Sequence, residues 1–414
     1  MVNEWETMIL EDAIQINPHR NLPKATIAPY VAMEDLAPFQ RKIEAIRTKE
    51  YKGSGSRFRN NDTLLARITP CLENGKTAFV SELPDGTIAC GSTEFIVLSG
   101  REDLSDNLFV YYLARDPNFR MFAIQLMEGT SGRQRVPASA LARLNVVLPP
   151  LPEQRTIAGI LGALDDKIGL NRQINQTLEA MAQALFKSWF VDFEPFRDHG
   201  MQDSPLGEIP VGWRVGKVKD IASLLKETIN PGNYPNDVFE HYSIPAFDEG
   251  HMPSSERGAQ IKSNKFQVSE KAVLISKLNP RFPRIWLPWG NYSRRAVCST
   301  EFLVVLPEED MTREYLYSLF SSHSFLETFS TLVTGTSSSH QRVRPEDLLS
   351  IDVVIPLKGI VVDFSDRVLP MLRLVAHNLV QNSVLTGIRD TLLPKLLSGQ
   401  IRVKDAEKFV EKAI

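Results

Sequence analysis

The sequence predicts an α+β protein built from two globular domains related by pseudo-two-fold symmetry. Two long antiparallel helices, forming a coiled coil, separate the domains. Two observations carry this expectation. The stretch from Pro152 to Phe190 places Ile157, Leu161, Leu164, Ile168, Leu178, Ala182, Leu185 and Trp189 at alternating steps of four and three, which is a helical seam. An internal repeat with a period of about 207 residues then duplicates that stretch and the segment before it.

The bulk composition sets limits. A chain of 414 residues, 43% of them hydrophobic, is long enough for two or three domains with real cores. Its three cysteines, Cys71, Cys90 and Cys298, are too few and too scattered for a disulfide framework or a zinc site, so a reducing, cytoplasmic setting is expected. The opening MVNEWETMILED is acidic and has no apolar core, unlike a signal peptide. No apolar run approaches ~18 residues, so no membrane partner is expected.

The repeat is visible in short peptides. Ser92-Thr93-Glu94-Phe95 recurs as Ser299-Thr300-Glu301-Phe302. Gly129-Thr130-Ser131 with Gln134-Arg135-Val136 recurs as Gly335-Thr336-Ser337 with Gln341-Arg342-Val343. Val146-Val147-Leu148-Pro149 recurs as Val353-Val354-Ile355-Pro356, and Trp5 and Trp213 open the two copies. In the first copy, 63–68, 77–81 and 95–99 read as strands, 107–114 and 118–127 as helices around Pro117, and 144–148 as a last strand. The second copy repeats that order with strands at 272–276, 301–305 and 351–355 and helices at 312–320 and 324–332.

Each copy then enters a helix through a proline-marked junction, Leu148 to Gln154 and Ile355 to Lys358. About 39 residues at ~1.5 Å each make a rod of roughly 58 Å. Shifted by the repeat, the seam falls on Phe364, Val368, Met371, Val375, Leu385, Arg389, Leu392 and Leu396. The polar seam positions Asn171 and Asn175 fall on Asn378 and Asn382. Buried seam asparagines fix register, so these four are expected to face one another where the helices cross. Two features depart from the pattern: Arg389 takes an apolar position, and Pro370 and Pro394 are expected to kink, shorten or end the second helix. The charged tail, 403–414, is expected to fray.

No catalytic constellation emerges. There is no phosphate-binding GxxxxGK[ST] loop, GxGxxG, HExxH or GxSxG. Asp116-Pro117-Asn118-Phe119 echoes an amino-methyltransferase motif, but its third residue differs and no glycine-rich loop precedes it, so it reads as a helix break. Catalytic, cofactor and metal residues are therefore expected to be absent from this chain.

Nucleic acid is the better fit. The net charge of −3 hides two basic blocks, Arg41 to Lys76 at +5 and Arg257 to Arg295 at +8. A duplicated domain on paired rods suits a reader of two DNA half-sites. Candidates for phosphate or base contact are Lys52, Arg57, Arg59, Arg67 and Lys76 in the first domain. In the second they are Lys277, Arg281, Arg284, Arg294 and Arg295, interleaved with Trp286, Trp289 and Tyr292. The repeated Gln134-Arg135 and Gln341-Arg342 are candidates for adenine and guanine recognition; a turn followed by a surface charge is an equal reading. The rival classes are an enzyme with a degenerate site and a coiled-coil scaffold without DNA.

The run Leu148-Pro149-Pro150-Leu151-Pro152-Glu153-Gln154-Arg155-Thr156-Ile157 leads into a helix that ends Phe186-Lys187-Ser188-Trp189-Phe190. Gly207-Glu208-Ile209-Pro210-Val211-Gly212-Trp213 follows, and the second copy ends Leu393-Pro394-Lys395-Leu396-Leu397-Ser398-Gly399. Together these strongly resemble the DNA specificity subunit of Type I restriction-modification systems. The resemblance implies target recognition domains at 1–150 and 197–356, spacer helices at 151–196 and 357–402, and a tail at 403–414. It implies a non-catalytic subunit that reads a bipartite, asymmetric site in double-stranded DNA. Its expected partners are two modification subunits and the restriction subunits, which carry S-adenosylmethionine, ATP and Mg²⁺. Docking is expected on helix faces that include Gln154, Arg155, Asp165, Lys167, Arg172 and Lys187. The second junction, Leu357-Lys358-Gly359-Ile360, departs from Leu-Pro-Glu-Gln.

Overall fold

A computed structural model describes residues 5–130, 132–290, 295–334 and 341–411. Ser131, Tyr292, Arg294 and the repeated Gly335-Thr336-Ser337 lie outside the described residues. The chain divides into two compact units, Met1–Leu170 with Asn382–Ile414, and Asn171–Gln381. The division falls inside both long helices, because each half-helix buries its seam in the core of its own unit.

In the first unit, a four-stranded antiparallel sheet runs in the order Ile14–Ile16, Phe95–Gly100, Thr63–Ala66, Thr77–Phe79. Its central strands read FIVLSG and TLLA and are buried almost throughout, so they lack the alternation of a half-exposed strand. A second sheet runs Arg47–Glu50, Ile27–Val31, Ala89–Gly91, Ser56–Phe58, with the middle pair parallel. Glu6–Ile9 pairs with Asn145–Leu148 and closes the domain beside the helix junction. The helices Asn107–Arg115 and Pro117–Gln125 meet at Asp116, whose carboxylate accepts from Phe119 N and caps the second. The methyltransferase-like tetrapeptide is thus a helix break.

The second unit repeats this plan. Its antiparallel sheet runs Ala222–Leu225, Phe302–Pro307, Val273–Ser276, Ile285–Trp286. Its mixed sheet runs Thr228–Ile229, Lys265–Gln267, Arg295–Cys298, Val238–Tyr242, Ser254–Arg257, again with one parallel pair. Arg214–Lys217 pairs with Asp352–Ile355, as Glu6–Ile9 does with Asn145–Leu148. The duplication is one of topology as well as of peptides. Burial of Cys298 among these strands pushes its thiol up to about 12.

The long helices are Leu151–Phe190 and Lys358–Leu397. In the first unit Ile157, Leu161, Leu164 and Ile168 share a core with Leu385, Leu392 and Leu396, and with Phe109 and Tyr112 of the domain. In the second, Phe186 and Phe190 close on Phe364, at 5.9 and 5.0 Å between ring centroids, and on Tyr315.

Three expectations are corrected. Pro370 and Pro394 do not end the second helix, which runs unbroken through both. An interior proline costs about 3 kcal/mol, but the ring of Pro370 is exposed while its neighbours Phe364, Val368 and Leu372 are buried. The tail is not frayed from 403: Val403–Glu411 is a helix, and Ala406 is fully buried in the first core. The first spacer ends at Phe190, and Glu194–His199 is a short 3-10 turn.

Candidate nucleic-acid interface

Each domain carries the same small frame where the antiparallel sheet ends. In the first, Arg67 leaves the strand Thr63–Ala66; its N–H donates to Glu94 O at 2.9 Å, and its carbonyl accepts from Val136 N at 2.9 Å. Thr69 N donates to Gln134 O at 3.0 Å. In the second, Lys277 N donates to Glu301 O and Lys277 O accepts from Val343 N, both at 3.0 Å, while Asn279 N donates to Gln341 O at 2.9 Å.

Side chains complete the frame. Arg135 Nη2 donates to Glu94 Oε1 at 2.7 Å, and its Nε reaches both carboxylate oxygens at 3.0 Å. Arg342 Nη2 donates to Glu301 Oε1 at 2.9 Å and Nε to Oε2 at 3.0 Å. These fork-to-fork contacts are the geometry at which a guanidinium binds a carboxylate best. The Arg342 hydrogen bonds hold the Glu301 carboxyl below its usual range. Several of the repeated residues now have a physical role. Ser92 and Ser299 Oγ accept from the N–H of Glu94 and Glu301, Phe95 and Phe302 anchor the turn in the core, and Val136 and Val343 do the same from the other side.

The remaining first-domain candidates are spread over several elements. Lys52 is exposed in the loop after Arg47–Glu50, and Arg59 is exposed just after Ser56–Phe58. Arg57 lies half-buried on the edge strand of the mixed sheet. Lys76 is tied inward, donating from Nζ to Met33 O at 3.0 Å. The loop between Lys52 and Ser56 needs its glycines: Gly55 has φ +108°, and a Cβ there would meet Gly91 O at 2.4 Å.

In the second domain Arg281 is exposed, whereas Arg284 is held by Asp248 in a two-pronged pair at 2.6 and 2.8 Å. Arg295 lies over the Tyr234 ring at 3.9 Å. Arg294 lies outside the described residues. Trp286 is a core residue, edge-on to Tyr242 at 4.7 Å and Phe247 at 5.3 Å, and Trp289 is half-buried beneath Arg313 at 4.3 Å. Neither is an open stacking platform.

The seam asparagines are all buried. Asn378 Nδ2 donates to Asn175 Oδ1 at 2.8 Å, and Asn175 Nδ2 to Val375 O at 3.3 Å. Asn171 Nδ2 reaches Gln381 Oε1 at 2.7 Å, and Asn382 Nδ2 reaches Ile168 O at 3.4 Å. Arg389, which looked like a break in the seam, has a partner in it: Nη1 donates to Asp165 Oδ1 at 2.6 Å, and Tyr112 OH donates to Asp165 Oδ2 at 2.8 Å. Burial alone lowers Arg389, but Asp165 and Asp390 outweigh it and hold the guanidinium above its usual range. Asp165 is therefore not on an exposed docking face. Nor is Gln154, 1% exposed, whose amide spans Leu104 O, Pro149 O and Asp106 N to lock the helix junction. Arg155, Arg172 and Lys187 are exposed as expected, and Lys167 is half-buried.

Sequence reading missed Phe282. It is 67% exposed in the turn between Asn279 and Arg284, next to Arg281. An exposed phenylalanine among cations is suited to wedging against bases. The signal was its place between Pro280 and Pro283, inside the more basic block. The acidic halves of the two frames, Glu94 and Glu301, were visible as repeated residues but not as partners of the repeated arginines.

Among the described residues, no three His, Cys, Asp or Glu side chains gather as a metal site, and no helix is long and apolar enough to cross a membrane.

Comparison with known proteins supplies the context for this frame. The family description "Type I restriction modification DNA specificity domain" matches residues 3–180. The chain is 25% identical over 427 residues to the Type I restriction enzyme HindI specificity subunit of Haemophilus influenzae, covering 86% of this chain and 90% of that one. It is 26% identical over 358 residues to the Type I restriction enzyme MjaIX specificity subunit of Methanocaldococcus jannaschii, covering 82% and 80%. The crystal structure of a Type-I restriction-modification system S subunit from M. genitalium shares the fold, with a TM-score of 0.55 at 16% identity over 95% of this chain and 96% of that one. Residues 3–180 therefore match the Type I restriction modification DNA specificity domain, and the chain is similar over most of its length to the specificity subunits of Type I restriction enzymes.

Proposed function

We propose that this chain reads a bipartite, asymmetric site in double-stranded DNA, one half with each domain, and takes no catalytic part itself. One observation carries the reading: the two domains share the order of their antiparallel sheets, the frame and the strand pair beside each helix junction, yet differ in the residues that stand out from that plan. The first offers Lys52, Arg59 and Arg67; the second offers Lys277, Arg281 and Phe282. A common scaffold with unlike surfaces suits two unlike half-sites.

In this reading, Lys and Arg meet phosphates while polar and apolar side chains meet base edges. Two modification subunits, holding S-adenosylmethionine, methylate the site, and restriction subunits, using ATP and Mg²⁺, cleave. The long helices supply both spacing and docking. Exposed apolar residues on them, Leu170 and Met181 on the first and Leu374, Val380 and Val384 on the second, are surface that a partner would cover.

Methylome sequencing of a host expressing this chain with its modification subunit tests the proposal. A two-part motif with an unread spacer is expected. Replacing residues 1–150 with those of another specificity subunit should change one half of the motif. If both halves change, or no motif appears, the assignment of one domain to each half fails.

A further inference from the structure

We infer that Arg135 and Arg342 are positioning residues, not base readers, and that Glu94–Arg135 and Glu301–Arg342 are matched clamps that present their neighbours to DNA. The inference rests on the DNA-reading role proposed above. It concerns a pair of residues that, by type alone, invite assignment to guanine recognition.

The first support is geometric. Both guanidinium forks are already committed, with hydrogen bonds of 2.7 to 3.0 Å to a carboxylate from the opposite peptide of the repeat. In Arg135 the remaining Nη1 donates to Arg133 O at 3.1 Å, so both edges that could face a guanine already have protein partners. The second support is duplication. Both domains keep the glutamate, the arginine and the serine that shapes the glutamate's turn, while the basic residues around them differ. A contact that distinguishes one half-site from another has no reason to be identical in both domains. A clamp that sets the strand exits does.

The third support is what the clamp holds. On one side it fixes the Glu94 and Glu301 carbonyls, which receive Arg67 N and Lys277 N. On the other it fixes the segments whose backbones bind Thr69 and Asn279 through the carbonyls of Gln134 and Gln341. The cations at 67 and 277 and the amides at 134 and 341 are thereby set at fixed points of each domain. The clamp also neutralises a carboxylate that would otherwise repel phosphate close to those cations. Arg67 and Lys277, which differ between the domains, are then the residues that meet DNA.

Charge exchange in the full chain, assembled with its modification subunit, separates clamp from reader. Arg135→Glu sets two carboxylates together and is expected to reduce methylation at the native site by about tenfold or more. The exchanged pair Glu94→Arg with Arg135→Glu is expected to recover to within about threefold, with the same motif. If Arg135 reads a base, the exchange will not rescue, and the inference is overturned. Arg135→Lys gives an independent reading if the exchanged chain folds poorly. A clamp tolerates it with the motif unchanged, whereas a bidentate guanine contact loses its base preference at one position. The salt dependence of DNA binding adds a third: the neutral pair Glu94→Gln with Arg135→Gln leaves the slope unchanged for a clamp but lowers it by about one for a phosphate contact. A wild-type complex that produces no two-part motif would refute the DNA-reading role, an outcome distinct from failed rescue in an active complex.

Discussion

The two units hold the same long helices together by different chemistry. In the first unit the seam carries, besides Asn382, an ion pair, Arg389 with Asp165, both 5% exposed in their side chains and joined by Tyr112. In the second it carries a neutral amide pair, Asn175 with Asn378, next to a cluster of aromatic rings around Phe186, Phe190 and Phe364. Yet the two domains carry the same Glu–Arg clamp and the same order in their antiparallel sheets. Duplication has preserved the parts that give each domain its shape. The seam positions equivalent to Asp165 and Arg389 are Leu372 and Ala182, so there the two halves differ on both helices together.

The ion pair gives the largest expected effect. Replacing Asp165 with Asn keeps the volume but leaves the Arg389 guanidinium buried without its charge partner. A cost of about 3–5 kcal/mol is expected for breaking such a pair. It should be concentrated in the first unit, read as loss of hydrogen-exchange protection in 151–168 and 385–397 before the second unit opens. Equal loss in both units would show that the seam does not divide as the compact units do. Asp390, at 2.8 Å from Arg389 but half-exposed, cannot replace Asp165 in full.

The amide pair predicts the opposite sign. Asn175 and Asn378 are buried polar groups whose hydrogen bonds largely repay their own desolvation. Replacing both with leucine should raise stability by about 1 kcal/mol while weakening register specificity. Calorimetry and the width of the methylated spacer measure the two effects. A lower melting temperature with an unchanged spacer would contradict the register role. A single replacement, which strands one amide, should destabilise instead.

The contrast also explains what could be read from sequence. The central strands, both helix pairs of the domains and the two rods were legible because each has a strong local signal: apolar runs, a proline break or a four-three seam. The mixed sheets were not. Arg47–Glu50 is exposed along its whole length and reads RTKE, so no hydrophobic pattern marks it. Its neighbour Ile27–Val31 in turn pairs in parallel with Ala89–Gly91, far away in sequence. Arg389 was legible as an anomaly, but not as half of a pair, because Asp165 looked like a surface residue of its own helix. Gln154 was misassigned for a related reason: a polar residue in a first helical turn is usually solvated, and here it locks the junction through backbone carbonyls 5 and 50 residues away. The clamps were visible as two repeated peptides, but only the fold brings Glu94 to Arg135 and Glu301 to Arg342.

The smallest expected effect concerns a clamp as a stabilising pair. The Glu301 carboxyl is held below its ordinary value by hydrogen bonds from Arg342. A carboxyl depressed in the folded state adds stability that is present above the unfolded value, about 4.3 for Glu, and lost as pH falls through the folded value. The side chains are 26% and 41% exposed, so the contribution is expected to stay below about 1 kcal/mol. Arg342→Gln should therefore lower the melting temperature slightly at pH 7, and the gap from wild type should close as the carboxyl is protonated. If the gap persisted in acid, Arg342 would be stabilising the domain through packing, not charge. A large gap at neutral pH would mean that the clamp holds the domain together and does more than aim its neighbours. The pairing of a small stability effect with a large effect on methylation is what separates a positioning clamp from an ordinary structural ion pair.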